Sequence, residues 1–180
     1  PGVLGDHHLA LGQINAAIDC WKRAETRALL AGAPFTAADW GQKLITQLSE
    51  PERSIWRVRL GRVLLDAGDP RRAEQILRPV ADSGQTDLSL LASDVLCDVY
   101  ENLGKGDEWT ELAHQVEALL PKAARTGRHA AFCALAMWRT AHGDDGSGRI
   151  AAESAVEISE SSVEVRRAAQ RLAFSCLPSL

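Results

Sequence analysis

The side chains best suited to catalysis or metal binding in this 180-residue chain are its histidines and cysteines. His7 and His8 form the only adjacent histidine pair. Neighbouring side chains on a helix point about 100° apart, so this pair is poorly placed to chelate one metal ion. A structural or solvent-facing role is the simpler interpretation. His114, His129 and His142 stand singly, and no Ser–His–acid arrangement can be assembled. The sequence predicts no catalytic residue, no metal site and no cofactor.

The four cysteines are far apart and lack the spacing of a zinc motif. Cys20, Cys97 and Cys133 fall within helical patterns, which favours buried reduced thiols, whereas Cys176 lies near the end of the last predicted helix. A disulfide or redox role is the alternative. Reduced thiols are typical of cytosolic proteins. The sequence shows neither a signal peptide nor an apolar run of about 20 residues, so we expect a cytoplasmic location and no membrane contact.

The glycine-rich segment 143–148, GDDGSG, has the composition of a ligand loop but not its spacing. It lacks the Lys-Ser/Thr ending of a phosphate loop and does not follow a predicted strand. Its two acids do not match the calcium-loop spacing, so a flexible turn is the interpretation. The net charge of −4 offers no basic surface for nucleic acid. The sequence therefore argues against an enzyme and against direct nucleic-acid contact.

The helix and turn pattern of the chain is clearest in residues 56–80, WRVRLGRVLLDAGDPRRAEQILRPV. Apolar residues recur at helical spacing from Trp56 to Ala67, which predicts a helix with one buried stripe. Gly68 suits the left-handed C-terminal cap of that helix. Asp69 can cap the next helix, and Pro70 suits its first position. The segment predicts two antiparallel helices joined by a short turn.

Similar helix and turn signals recur along the whole chain. The alternation of residue types expected of strands is missing. We therefore predict an all-α chain of about ten helices. Besides the central pair within 52–83, the predicted helices are 3–11, 14–31, 36–48, 86–103, 107–120, 128–142, 147–158 and 161 to about 176. Capping boxes are predicted at Thr36 with Asp39 and at Ser161 with Glu164.

The central pair resembles the tetratricopeptide repeat. The matching positions are Leu60-Gly61, Leu64, Gly68 and Ala73, followed by apolar Leu77 and Val80. The resemblance implies a single domain over residues 1–180, in which antiparallel hairpins stack as a right-handed superhelix. In that family the first helix of each hairpin lines the concave face, where a partner binds. The partner groove implied here comprises Ile55, Val58, Arg62, Leu65, Asp94, Asp98, Glu101 and Met137.

Two interpretations of the charged groove residues remain open. The Lys and Asn clamp that some relatives use for a peptide carboxylate is absent, since Val58, Arg62, Asp94 and Asp98 stand at those sites. The presence of Arg62, Asp94 and Asp98 predicts either an ion pair between neighbouring hairpins or a groove lined by both polar and apolar residues. Such a groove would take a helix or an extended segment of a partner, whereas an exposed ion pair contributes only about 0–1 kcal/mol.

A second resemblance concerns residues 5–40, GDHHLALGQINAAIDCWKRAETRALLAGAPFTAADW. This segment resembles the helical region that follows the ATPase module in large bacterial STAND-type ATPases, including the big LuxR-type transcription factors. In that family such a region senses an inducer or a partner and restrains the ATPase. The resemblance implies that this chain is a fragment of a larger protein and that the ATPase and DNA-binding motifs lie outside it.

These observations predict a non-enzymatic helical-repeat module for protein–protein or regulatory contacts. Its expected role is the sensor or scaffold arm of a bacterial signalling or transcriptional regulator. Its partner would be a protein, a peptide or another domain of the same polypeptide. The alternative is a domain that binds a small inducer between hairpins near Trp109 or Trp138, where bulky aromatics replace small residues.

Overall fold

A computed structural model describes residues 1–175, apart from the side chain of Phe174, and within these residues it contains helices and turns but no strands. The prediction of an all-α chain with about ten helices is confirmed. Cys176, where the last helix was predicted to end, lies outside the described residues. The α-helices are α1 Gly2–Ala10, α2 Ile14–Leu30, α3 Pro34–Gln47, α4 Glu52–Asp66, α5 Pro70–Ala81, α6 Thr86–Leu103, α7 Gly106–Leu119, α8 Arg125–Ala141, α9 Asp145–Glu157 and α10 Ser162–Ser175.

The turn between α4 and α5 has the predicted geometry. Gly68 has a φ of 79°, a conformation that costs other residues energy. The Asp69 amide donates to the Leu64 carbonyl at 2.9 Å. The Asp69 carboxylate accepts a hydrogen bond of 3.1 Å from the Arg72 amide, so it caps α5, which begins at Pro70. Local residue types are therefore sufficient to fix where this pair of helices turns.

The two predicted capping boxes have opposite outcomes. The box at Ser161 is confirmed, because the Glu164 amide donates to the Ser161 hydroxyl at 3.1 Å and the Ser161 amide donates to the Glu164 carboxylate at 3.2 Å. The box at Thr36 is wrong: α3 begins two residues earlier, at Pro34, and no side chain caps it. Proline suits a first helical position because its φ is fixed and it has no amide hydrogen to satisfy.

Residues 1–76 form the first of two compact units. Its helices α1 to α4 pack in chain order, each against the next. A hydrophobic cluster is built from Ala17, Trp21, Leu44 and Leu48, with Trp40 partly buried against it. Trp40 itself is half-exposed. A Cβ at Gly2 would fall 2.1 Å from its ring, so α1 lies close over it.

The second unit begins at Leu77, within α5, and its described part includes α6 to α10. The central helix is α8, which contacts α6, α7, α9 and α10. The packing repeats: α8 contacts both helices of the pair α6–α7, and α10 contacts both helices of the pair α8–α9. Within this unit, α8 and α10 thus each pack on both members of the pair before them.

None of the helices in the part of the chain that the structure describes combines the length and the apolar character needed to cross a bilayer.

Candidate interaction surfaces

The predicted groove residues of the first unit lie on one face of α4. Ile55, Val58, Arg62 and Leu65 follow one another at three- and four-residue intervals, which places them along one stripe of the helix. Ile55 is 54% exposed, and the other three are half-buried. The stripe combines apolar and basic groups at a surface, so it has the composition of a partner-binding face.

The predicted groove residues Asp94 and Asp98 of the second unit are buried rather than open. Both lie on α6 and are covered by arginines from α10. Arg167 donates from Nε and Nη2 to the two oxygens of Asp94 at 3.1 and 3.0 Å, and from Nη2 to Asp98 at 2.6 Å. Arg171 donates from Nη2 to the other oxygen of Asp98. The two carboxylates are therefore part of an ion network within the second unit.

Sequence reasoning missed Arg167 and Arg171 because they are about seventy residues away from their acids along the chain. The only local signal is a matching pattern. The two acids are one helical turn apart on α6, and the two arginines are one turn apart on α10. Such spacings place each pair on one face of its helix, but no local rule says which acidic face meets which basic face.

The charges in this cluster shift each other's ionisation. Burial lowers the pKa of Arg167, but the nearby Asp94 and Asp98 carboxylates outweigh that effect and raise the pKa above its usual value. Glu101, at the exposed edge of the cluster, has a raised pKa, because partial burial of its carboxyl and the charge of Asp98 outweigh the opposing Arg171. Arg167 therefore stays charged at every physiological pH.

Met137, the remaining predicted groove residue, is 2% exposed on α8. It does not line an open surface in this structure, because α8 is surrounded by four other helices of the unit. Cys133, on the same helix, is fully buried. The partner groove as a functional surface stays a prediction, but in the second unit its expected residues Asp94, Asp98 and Met137 are covered.

Trp109 and Trp138, which the sequence marked as a possible ligand site, belong to one aromatic cluster of the second unit. The His142 ring lies 5.8 Å from Trp109 and 4.8 Å from Trp138 between ring centroids, and His114 lies 6.2 Å from Trp138. Within the described residues, the Trp138 indole nitrogen is buried without a hydrogen-bond partner, whereas the Trp109 indole faces the Cys97 thiol. An unpaired buried donor has a free-energy cost, so this cluster is a second candidate site.

The cysteines and histidines provide no metal centre in the described part of the chain. Cys20, Cys97 and Cys133 are buried and free, as predicted, and Cys176 lies outside the described residues. Burial raises the pKa of Cys97 to about 12, and burial also raises the pKa of Cys133. Thiols held in the neutral form are poor nucleophiles, so the structure gives these residues packing roles.

No protein-family model matches this chain, and neither a curated protein nor a solved structure matches it. The resemblances to tetratricopeptide repeats and to the helical region of STAND-type ATPases therefore stay predictions from the residues quoted above.

Proposed function

We propose that this chain is a non-enzymatic helical-repeat module that binds a protein or peptide partner, or another domain of its own polypeptide. The supporting observation is the repeated packing of the second unit, in which α8 and then α10 pack on both helices of the preceding pair. That arrangement fits tetratricopeptide-like stacking, which builds surfaces for partners out of the first helices of successive pairs. A cytoplasmic regulator of the STAND type is the setting we propose for it.

In the first unit, we expect the partner to bind the α4 stripe, which consists of Ile55, Val58, Arg62 and Leu65. Ile55 is an apolar side chain that is 54% exposed beside the half-buried Val58 and Arg62. An exposed apolar side chain with further apolar groups along the same helix face fits a segment that presents apolar anchors. A peptide partner would bury Ile55 against this face.

Selection of peptides from a random library against the full chain tests this function. Enriched peptides should bind saturably with one-to-one stoichiometry, and Ile55→Ser should weaken binding about tenfold or more, since it removes a buried apolar contact of about 1.5–3 kcal/mol. Ile150→Ser is the matched control, because Ile150 is 64% exposed but lies on α9, the second helix of its pair. Failure to enrich any peptide, or equal effects of the two substitutions, would contradict the proposal.

The second candidate function, small-molecule sensing, is favoured by the unpaired indole donor of Trp138. A ligand that carries a hydrogen-bond acceptor and a flat ring would satisfy a donor and stack in the cluster. A metabolite screen by thermal shift tests it, with tryptophan fluorescence as the second readout. A metabolite whose binding is lost in Trp138→Phe would favour this function over the first.

A further inference from the structure

Among the side chains that the structure describes, α10 buries few apolar ones. Its buried residues are Ala168, Arg171 and Ser175, whereas eleven residues of α6 are buried. Its apolar Val163 and Val165 are 74% and 46% exposed. Helices in proteins owe most of their stability to the burial of an apolar face. The attachment of α10 therefore depends on polar contacts more than that of α6 does.

The polar contacts of α10 fall into two groups. At its start, Arg125 of α8 donates to the Glu164 carboxylate at 3.1 Å, and one His129 ring nitrogen lies 3.3 Å from the Glu164 carbonyl oxygen. Further along, Arg167 and Arg171 bind the acidic pair of α6. The second group buries four charged side chains under α10, and it connects α10 to α6.

The fit of the arginines to the acids is incomplete. Arg171 is 8% exposed, and its Nε has no hydrogen-bond acceptor among the described residues. Moving charges out of water costs energy that their mutual attraction regains only when all their donors and acceptors are satisfied. One guanidinium donor of this network is therefore buried without an acceptor among the described residues, and a competing segment with better geometry can gain that hydrogen bond and replace α10.

We infer that α10 is a displaceable internal ligand, and that the surface around Asp94 and Asp98 which it covers accepts a partner helix with two arginines four residues apart. This inference rests on the proposed interaction function and specifies a partner for it. In the resting chain α10 occupies the site. A partner that presents the same pair of guanidinium groups, together with more apolar surface than Ala168 offers, displaces it.

The spacing of the acids selects a helix as the partner. Asp94 and Asp98 are separated by about one helical turn, roughly 6 Å along the axis. Two arginines at the same interval on a facing helix reach both acids together, as Arg167 and Arg171 do. Arginine suits the site better than lysine, since Arg167 uses Nε and Nη2 as a planar fork on Asp94.

The first test titrates a labelled peptide that spans residues 160–175 into the full chain. The Arg167→Ala/Arg171→Ala chain should bind this peptide about tenfold or more tightly than the wild-type chain does, because its internal competitor is weakened. Adding Asp94→Asn/Asp98→Asn should abolish that binding. The same peptide with both arginines replaced by alanine is the matched control, and equal binding of the two peptides would overturn the inference.

The second test needs no substitution and covers the case in which the variant does not fold. Native-state hydrogen exchange of the wild-type chain is measured without denaturant and at urea concentrations below the unfolding transition. The amides of α10 should exchange faster than those of α6 and α8, because a displaceable helix leaves its site before the rest of the unit opens. Equal protection of α10 and α8 at every urea concentration would overturn the inference, because the helix would then be a fixed part of the fold.

The outcomes separate this inference from the proposed function. If library peptides bind through the α4 stripe while α10 is protected as strongly as α8, the inference fails alone. If the chain takes the α10 peptide but enriches no library peptide, the proposed function fails. If the arginine variant forms dimers instead of binding the peptide, a second copy is the occupant, and the assignment of a separate partner is overturned.

Discussion

At the scale of single residues, the clearest determinant of the first unit is the buried carboxylate of Glu25. It is 1% exposed, and its two oxygens accept hydrogen bonds of 2.6 Å from Nε and Nη2 of Arg59. The Arg59 guanidinium also stacks 5.0 Å from the Trp56 ring. The sequence predicted a helix over residues 14–31 but not this pairing, because Arg59 is 34 residues away and on another helix.

Arg59→Ala should therefore destabilise the protein by about 1–3 kcal/mol, since it leaves the Glu25 carboxylate buried without its partner. Part of the Arg59 side chain is in solvent, which keeps the effect below that of a fully buried pair. Urea denaturation followed by circular dichroism measures the change. Arg27→Ala is the control, because Arg27 is exposed, and it should stay within about 0.5 kcal/mol. Equal destabilisation by the two substitutions would show that the Glu25–Arg59 ion pair does not contribute to stability.

At the scale of elements, turn residues predict where the helices start and stop. Gly12, Gly32, Gly68, Gly104 and Gly143 each lie between consecutive helices, and all have positive φ. The start of α3 was wrong because two plausible signals compete within three residues there, Pro34 and Thr36. Close approach between helices is less visible in the sequence. A glycine inside a helix indicates that something lies near it, but not which helix or which atom.

Gly148 is such a position, and its substitution gives a sharp test of how α9 packs on α8. A Cβ there would fall 2.3 Å from the Thr140 hydroxyl and 3.1 Å from the Ala136 carbonyl oxygen. Gly148→Ala should therefore destabilise the protein by about 1–3 kcal/mol through overpacking. Gly146→Ala is the control in the same helix, because no atom lies within 4 Å of its Cβ position.

Thermal unfolding of the two variants measures this difference. The control should be neutral or stabilising by up to about 1 kcal/mol, because alanine is the better helix former. A Gly148→Ala protein as stable as Gly146→Ala would contradict the close packing of α9 on α8.

The start of α10 should respond to acid. Burial would raise the pKa of Glu164, but hydrogen bonds from Arg125 and from the Glu160 and Ser161 amides outweigh it and lower the pKa to about 2, from the usual 4.5. A lowered pKa means that the ionised carboxylate stabilises the fold. That contribution is complete above about pH 4.5 and is lost as the pH falls towards about 2.

Glu164→Gln should remove this pH dependence. The difference in unfolding free energy between wild type and variant should therefore shrink from about pH 6 towards about pH 2. Glu157→Gln, at an exposed position near the end of α9, is the control. A constant difference between wild type and Glu164→Gln across that range would contradict the role of the carboxylate as the cap of α10.

At the scale of the whole molecule, periodicity and turn chemistry were sufficient to predict an all-α chain and the order of its helices. They could not predict what covers each helix. Asp94 and Asp98 were expected in a groove because they share one face of the first helix of a pair. That face is instead closed by Arg167 and Arg171, and nothing near the acids in the sequence indicates it. Met137 was likewise expected in the groove but is buried, since periodicity does not show that α8 lies at the centre of its unit.

The most direct test of the proposed function is a hydrogen-exchange footprint of a library-selected peptide on the full chain. The proposal predicts that the peptide slows exchange in α4, around Ile55 and Arg62, and leaves the second helices α7 and α9 unchanged. Protection confined to α7, α8 and the neighbourhood of Trp109 and Trp138 would contradict it, and would instead favour a ligand-sensing domain.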